Sequence, residues 1–122
     1  MNKNLIITAI TGALTIILGA FGAHVLQENL SVNELKSFET GVSYQMFHVL
    51  ALLFVNTYKG FNSKTKKSIS LFFFSGILFF SGSIYAITLG VDAKNIWFIT
   101  PFGGLLFIIG WLKIALFFNK NK

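Results

Sequence analysis

The sequence predicts an all-α integral membrane protein, an antiparallel bundle of four transmembrane helices, from three observations. Of its 122 residues, 54% are hydrophobic and only 11% are charged, whereas a soluble domain carries about 25% charged residues. Four apolar runs reach the length of roughly 17 residues or more that a helical span needs. The links between the runs are short, which makes consecutive helices antiparallel neighbours. The length suits a single membrane domain over 1–122.

The four runs cover about 5–25, 42–58, 69–89 and 96–118. Each is predicted as a helix, because backbone polar groups in hydrocarbon must be paired within their own segment. The first run is too long for a signal peptide and three further spans follow it, so we expect it to be retained. The chain has no cysteine, which excludes disulfides and cysteine-ligated metals.

The link between the first and second runs contains a sequence pattern typical of a helix start. Ser31 and Glu34 have the spacing of a capping box, in which each side chain pairs with the backbone N–H of the other residue. Leu30 and Leu35 occupy the two apolar positions that often accompany such a start. The sequence therefore predicts a short interfacial helix between spans one and two, lying on the headgroups and running into the second span.

The start of the fourth run has two interpretations. Thr100 can cap a helix that has Pro101 at its first position, where proline is favoured. Alternatively, the helix begins near Ile96 and kinks at Pro101. We expect the capped start, preceded by a tight turn over residues 90–95.

Most of the positive charge falls at one end of the predicted bundle. Lys36 and Lys94 are at the opposite end, together with all four acidic residues. The positive-inside rule therefore predicts that both termini are cytoplasmic. Anionic lipid headgroups at that face are the expected partners, with a homo-oligomer or another membrane protein possible and nucleic acid not expected. The lysines at the terminal end are Lys3, Lys59, Lys64, Lys66, Lys67, Lys113, Lys120 and Lys122.

Uncharged polar residues from all four runs converge on one level, in the half of the bundle opposite the termini. Tyr44 and Gln45 precede His48 by four and three residues and share its helix face. Histidines at such a depth are a functional candidate, as ligands, a proton relay or a lipid-headgroup site. They can equally be neutral, hydrogen-bonded side chains that fix helix register. The candidate residues are His24, Tyr44, Gln45, His48, Ser81, Tyr85 and Thr100.

No metal or cofactor is expected at this level. Two histidines with neither cysteine nor an intramembrane carboxylate make a poor zinc site. A haem held by both His24 and His48 is disfavoured because the two residues differ in depth.

Small residues recur at helical spacing and predict close helix packing. Small side chains let helix backbones approach each other in lipid, within one bundle or between copies. The glycines assigned to this role are Gly12, Gly19, Gly22, Gly82, Gly103, Gly104 and Gly110.

Four segments, one in each span, resemble the YgdD/YwdK family of small bacterial inner-membrane proteins. The segments are Gly19 to His24, Tyr44 to His48, Phe80 to Tyr85, and Thr100 to Trp111. The resemblance covers nearly the whole chain. It implies a four-helix protein of the bacterial inner membrane whose function is unassigned, and it brings no catalytic residues.

Three functions are compatible with this sequence. The first is a membrane component that binds lipid or a partner and supports envelope function. The second is a small oligomeric transporter or channel with His48 near the path. The third is a histidine-dependent enzyme or haem protein. An enzyme is not expected, because the sequence contains no nucleophile–base pattern and no phosphate-binding loop.

Overall fold

Four long helices make up the protein. A computed structural model describes residues 2–121, apart from the side chain of Ala23, so Lys122 lies outside the described residues. No strand occurs within this range. Each long helix has the length and apolar composition of a membrane span, which confirms the predicted fold class. The first to fourth spans are Lys3–Leu26, Val32–Thr57, Ser63–Thr88 and Ala93–Lys120.

The second span begins where the capping box predicts a helix start. The N–H of Glu34 donates to Ser31 Oγ at 3.1 Å, and the N–H of Ser31 donates to Glu34 Oε1 at 2.9 Å. The helix then continues without a break from Val32 to Thr57. The interfacial helix predicted between spans one and two is therefore not a separate element, because its residues form the first turns of the second span.

Packing explains why the second span does not break at this point. Phe38 lies only two turns into the helix and is 3% exposed. Its ring covers Gly22 of the first span and lies 5.4 Å from the ring of Tyr85 in the third span. These contacts hold the start of the helix against its neighbours.

Two spans contain a π-helical turn. The first span ends in one, over Gly22–Leu26, and the third span contains another, over Ile77–Ser81. A π-helical turn contains an extra residue and so changes which side chains face each neighbour. Ser81, the last residue of the second of these turns, bonds to the second span, and Ser83, just after it, bonds to the fourth.

The third span ends in a Schellman motif centred on Gly90. Gly90 has a φ of 119°, which glycine adopts readily. The N–H of Val91 donates to the carbonyl of Ala86 and the N–H of Gly90 to that of Ile87, the two bonds of this motif. The segment predicted as a tight turn thus contains a helix end, and a short helix, Ala93–Ile96, follows it.

The expected capping role of Thr100 is wrong. The main helix of the fourth span is Ile99–Lys120, with Phe98 at the cap position. Pro101 therefore lies in the first turn, where its missing N–H costs no intrahelical hydrogen bond. The hydroxyl of Thr100 is instead hydrogen-bonded to Ser83.

Consecutive helices share the most extensive contacts. The apolar core lies between the second, third and fourth spans and includes Leu52, Ile69, Phe73 and Phe107. The first span packs mainly on the second and leaves most of its aliphatic side chains exposed. Those side chains suit contact with lipid.

Glycines allow the third and fourth spans to approach closely. A Cβ atom on Gly103 would overlap the backbone of Phe80 and lie 2.7 Å from its Cα. A Cβ atom on Gly110 would overlap the ring of Phe73. Since real Cβ contacts are longer than this, any larger residue at Gly103 would push the two spans apart.

The other glycines assigned to packing differ in how closely they are approached. A Cβ atom on Gly12 or Gly19 would lie 3.3 or 3.5 Å from a valine of the second span. Gly104 has only ordinary contacts, the nearest at 3.8 Å. Gly82 has no neighbour within 4 Å. Ser81 and Ser83 on either side of it are buried, so Gly82 lies on the opposite side of the helix and faces away from the other spans.

Candidate functional site

Gln45 joins three spans through its side-chain amide. It is 4% exposed. Its Nε2 donates to Thr15 Oγ1 of the first span at 2.7 Å, and its Oε1 accepts from the hydroxyl of Tyr85 in the third span at 2.7 Å. We call Thr15, Gln45 and Tyr85 the glutamine cluster. It connects the weakly packed first span to the rest of the bundle.

A hydrogen bond from Thr15 to the backbone determines which groups in this cluster donate and which accept. Thr15 donates its hydroxyl proton to the carbonyl of Thr11 at 2.7 Å. A hydroxyl has one proton, so towards Gln45 it can only accept. The amide of Gln45 must then present its NH₂ to Thr15 and its oxygen to Tyr85, and only one orientation of the amide satisfies both partners.

His48 has both ring nitrogens paired. It is 5% exposed. Nδ1 lies 2.7 Å from the carbonyl oxygen of Tyr44, and Nε2 lies 2.9 Å from the indole nitrogen of Trp111. A carbonyl can only accept and an indole N–H can only donate. The imidazole is therefore neutral, with its proton on Nδ1.

Aromatic rings enclose the imidazole of His48. The ring of Phe107 is stacked on it, with a centroid distance of 3.6 Å and an interplanar angle of 8°. Phe73 contacts it edge-on at 5.2 Å. We call Tyr44, His48, Phe107 and Trp111 the histidine cluster. The lone pair of Nε2 is already used by Trp111, so a metal could bind there only after that hydrogen bond breaks.

Ser81 and Thr100 lie in separate hydrogen bonds. Ser81 is fully buried and donates to the carbonyl of Gly41 at 2.7 Å. The hydroxyl of Thr100 pairs with that of Ser83. Tyr44 contributes its carbonyl to His48, while its ring stacks on Phe80 at 5.0 Å.

His24 is not brought together with the other candidates. It is exposed, and its ring forms no hydrogen bond with residues 2–121. Gly22, two residues earlier, faces the second span. Residues two apart on a helix lie on roughly opposite sides, so His24 faces away from the bundle.

The role of Trp111 and a further polar cluster near the termini were not predicted from the sequence. Asn4 donates to Asn56 Oδ1 at 3.2 Å, and Asn56 donates to Ser70 Oγ at 2.9 Å. These residues join the first three spans at the level opposite the glutamine cluster. The available signal was an asparagine within an apolar run, because buried amides need partners.

The described residues contain neither an unpaired buried polar group nor a metal-binding group. Every buried side-chain nitrogen or oxygen within residues 2–121 has a hydrogen-bond partner. No group of three histidine, cysteine, aspartate or glutamate side chains within that range could hold a metal ion. What these clusters can do chemically is fix the register and contacts of the spans.

Comparisons with known proteins agree with this architecture. A UPF0382 membrane protein of Haemophilus influenzae is 40% identical over 121 residues, covering 99% of this chain and 97% of that protein. A UPF0382 membrane protein of Staphylococcus aureus is 40% identical over 116 residues, covering 95% of this chain and 94% of that protein.

The resemblance predicted from the four motifs is also confirmed. The inner membrane protein YgdD of Escherichia coli is 38% identical over 115 residues, covering 88% of this chain and 82% of that protein. No solved structure matches the chain. The family described as "Protein of unknown function (DUF423)" matches residues 18–104. The chain therefore belongs to the DUF423 family, and its relatives are membrane proteins.

Proposed function

We propose that the protein is a non-catalytic component of the bacterial cell membrane that binds anionic phospholipids and helps to maintain the envelope. The observation that carries this proposal is the uneven distribution of charge. Within residues 2–121, seven of the nine lysines belong to the end of the bundle that bears the termini, and all four acidic residues belong to the opposite end. The proposal places the lysine-rich end at the cytoplasmic leaflet, in accordance with the positive-inside rule.

Simple electrostatics support this binding. Basic residues next to a membrane span attract anionic lipids, and the attraction falls off within a Debye length. Lys59, Lys64, Lys67 and Lys120 are exposed at this end, where lipid phosphates would lie. Because acidic side chains are at the far end, they would not neutralise these lysines.

The interior of the bundle supports a non-catalytic role. Its polar groups are paired with each other, and His48 is enclosed by aromatic rings. This enclosure favours a lipid-binding role over a channel in which His48 lies beside the path. An ion or proton path usually needs an accessible ionisable group.

Lipid copurification tests the binding. The full chain would be extracted in a styrene–maleic acid copolymer, and the headgroups of the retained lipids would be compared with those of the whole membrane. We expect phosphatidylglycerol and cardiolipin to be enriched around the protein, less so when extraction is done at high salt. Retained lipid with the composition of the whole membrane would refute the proposal.

Gene deletion tests the role in the envelope. A strain that lacks the protein should have altered lipid composition or lower tolerance of membrane-perturbing detergents, and a plasmid copy should restore both. Normal lipid composition together with normal tolerance would remove the envelope role.

A further inference from the structure

A groove lies between the third and fourth spans at the lysine-rich end. It has a volume of about 530 Å³, within the roughly 300–1,000 Å³ of typical small-ligand sites. Lys64, Thr65 and Ser68 line it from the third span, and Lys113, Leu116 and Lys120 line it from the fourth. Three of the bundle's lysines thus surround one concave surface.

The wall that the fourth span contributes is a single helix face. Lys113, Leu116 and Lys120 are separated by three and four residues, the spacing of one helix face. Lys113 and Lys120 are seven residues apart, or about 10 Å along the helix axis. The groove therefore runs from the polar end of the bundle about two turns towards the apolar interior.

The polar groups of the groove are available to a ligand. The hydroxyls of Thr65 and Ser68 form no hydrogen bond within residues 2–121, whereas Thr8, Thr11 and Thr57 each bond to a carbonyl one turn back. Lys113 lies 5.5 Å from the ring centroid of Phe72 and makes no ion pair with a side chain in the described range. Cations and free hydroxyls together match the oxygens of a phosphate group.

The groove also has an apolar side. Leu116 is 58% exposed and continues the apolar surface of the fourth span towards the membrane interior. A soluble phosphate has no apolar part that could contact this surface. A phospholipid would place its headgroup among the lysines and an acyl chain along Leu116.

We propose that this groove binds the phosphate of one anionic phospholipid through Lys64, Lys113 and Lys120, with an acyl chain along Leu116. This proposal rests on the anionic-lipid function proposed above and assigns it to one site. A lipid bound at such a site exchanges slowly with the surrounding membrane, whereas lipids that only gather around a basic surface exchange quickly.

Native mass spectrometry of the full chain in detergent tests the site. Dioleoyl phosphatidylglycerol and dioleoyl phosphatidylcholine would be titrated separately, since they have the same chains and differ in headgroup charge. We expect one tightly bound phosphatidylglycerol on the wild type. Each lysine near an anionic group strengthens binding by roughly fivefold. Replacing Lys64, Lys113 and Lys120 together by Gln should therefore weaken binding by roughly a hundredfold.

A charge-matched variant separates the groove from the general basic surface. Lys59→Gln, Lys66→Gln and Lys67→Gln together remove the same charge from the same end, at residues that do not line the groove. We expect this variant to keep the tight lipid. Equal loss in both triple variants would overturn the site while leaving the general lipid function standing. No preference of the wild type for phosphatidylglycerol would remove both.

Two further measurements address shape and ligand source. Ser68→Trp keeps the charge but fills the groove, and it should also lose the tight lipid; if it binds as the wild type does, the groove is not the site.

Inorganic phosphate should compete only weakly, and competition as strong as that of the lipid would make the ligand a free phosphate and overturn the lipid assignment. Far-UV circular dichroism and melting curves would select only those variants that fold as the wild type does.

Discussion

The indole N–H of Trp111 donates to Nε2 of His48 at 2.9 Å, joining two spans through residues 63 positions apart in the sequence. The same imidazole donates through Nδ1 to a carbonyl of its own helix. His48 therefore serves as a fixed acceptor for the fourth span. A neutral imidazole held in this way stabilises the bundle, because breaking the bond would leave a buried acceptor unpaired.

Trp111→Phe should destabilise the protein by about 1–2 kcal/mol, since it removes the donor while keeping an aromatic ring. The change in unfolding free energy can be measured by reversible unfolding in mixed dodecyl maltoside and sodium dodecyl sulfate micelles. Trp97→Phe is the matched control, because Trp97 is 65% exposed and its indole forms no hydrogen bond within residues 2–121. Equal stability of the two variants would contradict a structural role for the His48 pair.

Tyr85→Phe and Gln45→Met should be energetically coupled. Each variant alone removes one side of the 2.7 Å hydrogen bond between the two residues. Interhelical hydrogen bonds in membranes are worth about 0.6 kcal/mol on average and up to roughly 1.7 kcal/mol. A double-mutant cycle in the same micelles should give a coupling energy in that range. Strictly additive effects would mean that the bond contributes nothing to stability.

The fold was largely predictable from composition and run length. The boundaries of the apolar runs gave four helices, and Ser31 with Glu34 predicted the start of the second one. The sequence did not indicate where along a helix the side chains that face its neighbours change. The π-helical turns at Gly22–Leu26 and Ile77–Ser81 shift the helix register, and no proline or charged residue in the sequence indicates them. Gly82 directly follows the second of these turns and has no neighbour within 4 Å, which its spacing from the other small residues did not indicate.

The candidate site was predictable only in part. Helical spacing placed Gln45 and His48 on one face, and both are buried in hydrogen bonds. Their partners could not be identified, because Thr15 and Trp111 lie on other spans and periodicity within one helix carries no information about its neighbours. His24 was included on depth alone, and depth does not determine which side of a helix faces the bundle.

Gly103→Ala should destabilise the contact between the third and fourth spans, whereas Gly82→Ala should not. Overpacking typically costs 1–3 kcal/mol, and about 2 kcal/mol is expected at Gly103 because the atoms in the way belong to the backbone of Phe80. Gly82 has helical dihedral angles and open space around it, so alanine should be neutral or stabilising by about 0.5–1 kcal/mol. Micelle unfolding of both variants checks the order, and a more damaging change at Gly82 would contradict this packing.

The orientation of the bundle can be tested with single cysteines, because the chain contains none of its own. Ser63 begins the third span at the lysine-rich end, and Ala93 begins the short helix at the opposite end, and both are exposed. If the lysine-rich end is cytoplasmic, an impermeant maleimide applied to intact cells should label Ala93→Cys and spare Ser63→Cys. Permeabilised cells should label both, which controls for accessibility. Labelling of Ser63→Cys alone in intact cells would reverse the orientation and place the lysine groove on the outer surface.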